Sequence, residues 1–150
     1  MIPMLLAFVA QATTPVAPPP ATNAGANPGP GPLGAIGKQA LPARGCAAYL
    51  WNVDGNRQLV AMASADPAQI RLTIDGKSTD YALATQSPAV GFGFGGVSVY
   101  RGGDVTATLD MTVATRADIS AGATVSATVR IDRPGRDTVV VPVGGLIGCV

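Results

Sequence analysis

DVTATLDMTVAT, residues 104–115, alternates without a break: Val105, Ala107, Leu109, Met111 and Val113 fall on one side of an extended chain, and Asp104, Thr106, Thr108, Asp110 and Thr112 on the other. Successive side chains of a β-strand point to opposite faces, so this run reads as a strand with one buried and one wet face. ATVSATVRID, residues 123–132, repeats the pattern, with Val125, Val129 and Ile131 opposed to Thr124, Ser126, Thr128, Arg130 and Asp132. IRLTI, residues 70–74, adds Ile70, Leu72 and Ile74 to the core side. In CAAYLWNV, residues 46–53, Tyr49, Trp51 and Val53 share a face opposite Cys46, Ala48 and Leu50. A lone tryptophan in a small two-layered β-protein packs between the sheets, which predicts a buried Trp51.

The junctions between these runs are turn chemistry. Asp54-Gly55-Asn56 separates CAAYLWNV from RQLVAMA, and Asp75-Gly76 separates IRLTI from KSTDYALA. Aspartate and glycine tolerate the positive φ of tight turns, so both junctions predict β-hairpins. Arg101-Gly102-Gly103 joins GVSVY to residues 104–115, and Arg133-Pro134-Gly135 joins residues 123–132 to RDTVVVPV. Eight strands over about 105 residues, with no window of helical period, predict an all-β fold. The expected form is an antiparallel β-sandwich, immunoglobulin-like in general shape. Pro142 cannot donate to a ladder, so its strand is expected to lie at an edge or to stop there. Free edges would also permit self-assembly through the main chain.

Composition agrees. The chain is 47% hydrophobic and 13% charged, which excludes disorder throughout, while 19 glycines and 13 prolines break it into short segments. All acidic residues are aspartate, so capping boxes and helical Glu-to-Lys pairs have no glutamate to use. A net charge of +1 with scattered basic residues offers no footprint for nucleic acid.

Residues 1–12, MIPMLLAFVAQA, run apolar to Ala10 and close on Ala10-Gln11-Ala12, the small-x-small pattern of a signal peptide cleaved after Ala12. The run is half the ~20 residues that a membrane span requires, so no transmembrane span is expected. Residues 13–40, rich in proline, glycine and alanine, read as a disordered tether, and residues 41–150 as the β-domain. Export to a secreted or periplasmic location implies an oxidising compartment, where Cys46 and Cys149 are expected to form a disulfide stapling the ends of the domain.

The residues also limit the chemistry. There is no histidine, so Ser-His-Asp and Cys-His hydrolysis are excluded within this chain, and two cysteines without CxxC spacing make no zinc site. Asp104 and Asp110 on one strand would stand about 20 Å apart, too far for a glycosidase pair. GFGFGG, residues 91–96, lacks the lysine and hydroxyl of a phosphate loop and runs into a strand rather than a helix. No catalytic, cofactor-binding or metal-ligating residue is nominated, and the chain is not expected to be an enzyme.

Binding candidates remain. Phe92 and Phe94 lie two apart among glycines, on one face of an extended segment: either core plugs beneath a crossover between the halves of the sandwich, or an apolar tip that docks a partner or membrane surface. Thr106, Thr108, Thr124 and Thr128 offer outward hydroxyls on neighbouring strands, although β-branched threonine favours wet strands without any ligand. The expected function is an exported, non-enzymatic structural or binding component of the cell envelope or extracellular space, whose partner would be an envelope polymer or protein. The alternative is a ligand-binding accessory module for a glycan or protein partner, using the Gly-Phe loop or the threonine face.

Overall fold

A computed structural model describes residues 33–150. The expected leader and the expected tether up to residue 32 lie outside the described residues. The elements are β1 (Leu33–Gly34), β2 (Cys46–Asn52), β3 (Leu59–Ala65), β4 (Ala68–Ile74), β5 (Lys77–Gln86), β6 (Ala89–Gly91), β7 (Phe94–Gly95), β8 (Val97–Gly102), β9 (Val105–Ala114), β10 (Gly122–Asp132) and β11 (Val139–Cys149). The fold is all-β and antiparallel, as the alternation predicts, and no helix among the described residues is long and apolar enough to cross a membrane.

The arrangement of the sheet departs from the expected sandwich. β2, β3, β4, β5, β8, β9, β10 and β11 pair in succession, and β11 pairs back with β2. One sheet therefore closes on itself as an eight-stranded meander barrel, not as two facing immunoglobulin-like layers. A sandwich requires the ladder to break in two places, and here each of the eight strands has a hydrogen-bonded neighbour on both sides. Closure also removes the long free edges through which main-chain self-assembly would run.

Alternation sorts the side chains. Ala48, Leu50, Ile70, Leu72, Tyr81, Tyr100, Ala107, Leu109, Val129, Ile131 and Val143 fill the interior and are all buried. Arg71, Asp80, Asp110, Thr128 and Arg130 point outward. An apolar interior with a charged exterior is the reverse of barrels that span membranes, whose outward band is apolar. Tight turns do the folding back: Asp75 and Gly76 both take positive φ, 49° and 79°, in the two-residue link between β4 and β5.

Both ends of the barrel are plugged. At the end we call the top, β1 pairs with the end of β4 and Leu33 is 1% exposed. Among the described residues, Leu33 and Ile36 are both buried against the barrel. Residues 35–45 then run down the outside: the Ile36 amide donates to the Leu59 carbonyl (2.8 Å), Arg71 donates to Gln39 Oε1 (2.8 Å), and the Tyr49 hydroxyl donates to the Ala40 carbonyl (3.0 Å). At the bottom, β6 and β7 form a small hairpin between β5 and β8, and it lodges Phe94 in the core.

The seam between β2 and β11 is where the chain closes. Its register runs from Val143↔Asn52 to Cys149↔Cys46, and a disulfide joins that last pair across 103 residues. Just beyond it the Val150 amide donates to the Gly45 carbonyl (3.0 Å). Gly145 lies against the Tyr49 carbonyl, closer than any Cβ would allow, so the two backbones meet only because that residue has no side chain. Pro142 does not stop its strand, which continues to Cys149. The Val53 amide donates to the Pro142 carbonyl (3.3 Å), so the proline nitrogen also faces the β2 side, where β2 has run out and no donor is needed.

Candidate functional site

One open concavity among the described residues grows out of β2. Inward Ala48, Leu50 and Asn52 leave Tyr49, Trp51 and Val53 on the outer face, and the pairing with β3 slips between Leu50 and Trp51 so that Val60 is the extra residue of a bulge. Trp51 is therefore half-buried on the outside and not packed within the core as expected. A barrel has one small interior, and at this level Leu50, Ala61, Leu72 and Val143 fill it. A bulge re-aims the side chain beside it. Trp51, Asn52, Val53, Arg57 and Gly144 line an open groove of about 550 Å³.

The loop over that groove is held by Asn52. Its Nδ2 donates to the Asp54 carbonyl (2.8 Å) and to Asn56 Oδ1 (3.4 Å), and its amide donates to the Gln58 carbonyl (3.0 Å). Asn52 is 5% exposed, yet its Oδ1 has no partner among the described residues. Arg57 is exposed, takes a left-handed φ of 51°, and makes no ion pair with any described residue. Sequence reasoning missed this site. The available signals were the outward parity of Trp51 and the paired glycines at 144 and 145, the first of which is the ladder partner of Trp51.

The residues nominated from sequence do not converge. Phe94 is 1% exposed and belongs to the core. Phe92 is half-buried at the tip of the β6–β7 hairpin, with φ 58° followed by Gly93 at 83°. A Cβ on Gly93 would come within 2.9 Å of Ala65 Cβ, so the tip lies tight against the β3–β4 corner. A bulky residue in the left-handed region is strained backbone, held here by the packing beneath it. Thr106, Thr108, Thr124 and Thr128 share the outer face of β9 and β10, but the register interleaves them with charge: Thr106 opposes Asp132, Thr108 opposes Arg130, and Thr128 opposes Asp110. Thr124 opposes Ala114 and donates to its carbonyl (3.2 Å). The hydroxyls form a mixed, solvated surface instead of one patch.

Four of the charges at the top pair with one another. Arg133 bonds Asp75 (2.6 Å), bridging the β10–β11 loop to the β4–β5 turn. That hydrogen bond, aided by the charges of Arg133 and Arg136, holds the Asp75 carboxyl below its ordinary range. Arg130 and Thr138 do the same for Asp132. A second open groove of about 430 Å³ runs between Arg101, Thr106 and Arg133, with Asp132 on its wall. Inside the barrel, burial pushes the Tyr100 hydroxyl up, so it remains a neutral phenol. Neighbouring Ser98 Oγ is buried without a hydrogen-bond partner. Among the described residues no three His, Cys, Asp or Glu side chains gather to hold a metal.

No protein-family model matches this chain, and no curated protein or solved structure is significantly similar to it.

Proposed function

We propose that this is an exported, non-enzymatic protein whose closed β-barrel has a structural or binding role in the cell envelope or extracellular space. The observation that carries the reading is the Cys46–Cys149 disulfide across the barrel seam. Such bonds persist in oxidising compartments outside the cytoplasm and are rare within it. The apolar stretch closing on Ala10-Gln11-Ala12 supports the same assignment from sequence. The absence of histidine from the chain removes the usual neutral-pH base and argues for binding over turnover.

The test is the intact mass of the protein recovered from its host, by cellular fraction, with and without reduction. Loss of residues 1–12 from the extracytoplasmic fraction, and a gain of about two daltons on reduction as one disulfide becomes two thiols, is the expected result. An unprocessed cytoplasmic chain with two free thiols overturns the proposal.

A second reading, an accessory module that binds a glycan or protein partner through the Gly-Phe loop, draws on the strained, half-exposed Phe92. Backbone strain of this kind concentrates at functional sites. Substituting Phe92 without loss of partner retention would remove it.

A further inference from the structure

We infer that the groove between the end of β2 and β11 is a binding site for an acidic saccharide, a uronate-bearing glycan. The inference deepens the binding role proposed above, and rests on it for the setting in which such polymers are met. The groove volume, about 550 Å³, falls within the range of about 300–1,000 Å³ common to small-ligand sites.

Its walls supply two complementary functions. The half-exposed indole of Trp51 offers a flat apolar face on which the C–H face of a pyranose ring stacks, and Gly144, opposite Trp51 in the ladder, leaves the floor without a side chain. Arg57 brings a guanidinium with no ion-pair partner among the described residues, and a planar fork of donors matches a carboxylate. Asp54 shares the loop with Arg57 but does not line the groove. The loop is tied to Asn52, so the backbone that carries Arg57 is held beside the aromatic wall. A neutral glycan would leave Arg57 unanswered. An apolar peptide would bury its charge.

The chain has a single tryptophan, so emission from the oxidised full-length protein reports this groove alone. Titration with tri-galacturonate should give a saturable change in Trp51 fluorescence, and the methyl ester of the same trisaccharide should give none. Arg57→Gln should weaken binding by about tenfold or more, the loss of one charge-assisted contact. Gly144→Ala adds a methyl that meets only the Val125 carbonyl and Val53 Cγ1, each at 3.5 Å. It should fill the floor and weaken binding while leaving the thermal midpoint unchanged. Three results overturn the inference: no saturable response to the acid, an equal response to acid and ester that survives Arg57→Gln, or a binding heat with no change at Trp51. The titration does not depend on compartment, so its failure and a failure of the export test are separate outcomes.

Discussion

Replacing Cys46 and Cys149 together by alanine should lower the stability of the barrel by about 4 to 5 kcal/mol. The two residues are 103 apart, so the bond constrains almost the whole domain in the unfolded chain. The chain-entropy relation gives about 4.7 kcal/mol at 25 °C for a loop of that order. On the folded side the cost is small, because the seam retains its ladder from Val143↔Asn52 onward and its backbone contact at Gly145. At about 4 °C per kcal/mol for a domain of this size, the midpoint should fall by about 15 to 20 °C. The assay is urea unfolding of the oxidised wild type and the double variant, followed by Trp51 fluorescence and far-ultraviolet circular dichroism. The expected signature is a lower midpoint with a steeper denaturant dependence, since the uncrosslinked chain exposes more surface when unfolded. Reduced wild type should coincide with the variant. A loss below about 1 kcal/mol with an unchanged slope would refute the entropic account and leave the seam held by ladder and core alone.

Phe94→Ala should cost about 3 to 5 kcal/mol in chemical denaturation, because it empties a fully buried site, whereas Phe92→Gly should cost far less, lost contact being offset by relief of the left-handed backbone. Equal losses would contradict the division between plug and tip. Gly145→Ala should destabilise by about 1 to 3 kcal/mol or more, since its methyl would collide with the β2 main chain, while Gly144→Ala should be close to neutral by thermal melting. The depressed carboxyls of Asp75 and Asp132 stabilise the fold fully above their unfolded value of 3.8, and that stabilisation is lost as pH falls through the lower folded one. Urea midpoints should therefore hold to about pH 5 and decline below about pH 4. In Arg133→Gln the part due to Asp75 should shrink to what Arg136 supplies, and an identical decline in variant and wild type would count against the pair.

The strands were legible because alternation is a local property: Val105 to Val113 and Val125 to Ile131 lie inside as their spacing predicts. The Asp75-Gly76 turn was legible for the same reason. Closure was not. A meander with these faces can split into two sheets or curl into one, and the choice rests on whether the first and last strands pair, a contact across the entire domain. Its trace in the sequence is the cysteine pair, which implied joined ends but not a shared ladder. Trp51 was misplaced for a related reason. The alternation put Tyr49, Trp51 and Val53 together without saying which side was interior, and in a narrow barrel Ala48 fits there better than an indole. The groove could not be read at all, since Gly144 reaches Trp51 only through the seam. The Gly-Phe stretch, expected to cross between two sheets, instead folds back as a two-residue hairpin and seals the lower opening.

Because β11 returns to β2, the ladder is a ring, and the place where the chain enters it is a nick. Gly45 and Val150 are already hydrogen-bonded neighbours. A chain joined there and opened instead between Gly135 and Arg136, in the link between β10 and β11, would keep every pairing of the eight barrel strands. What it would lose is the lead-in, residues 33–44, which arrives at the upper opening, seals it with Leu33 and descends the outer wall before the first barrel strand begins. That segment is what gives an otherwise circular order a beginning.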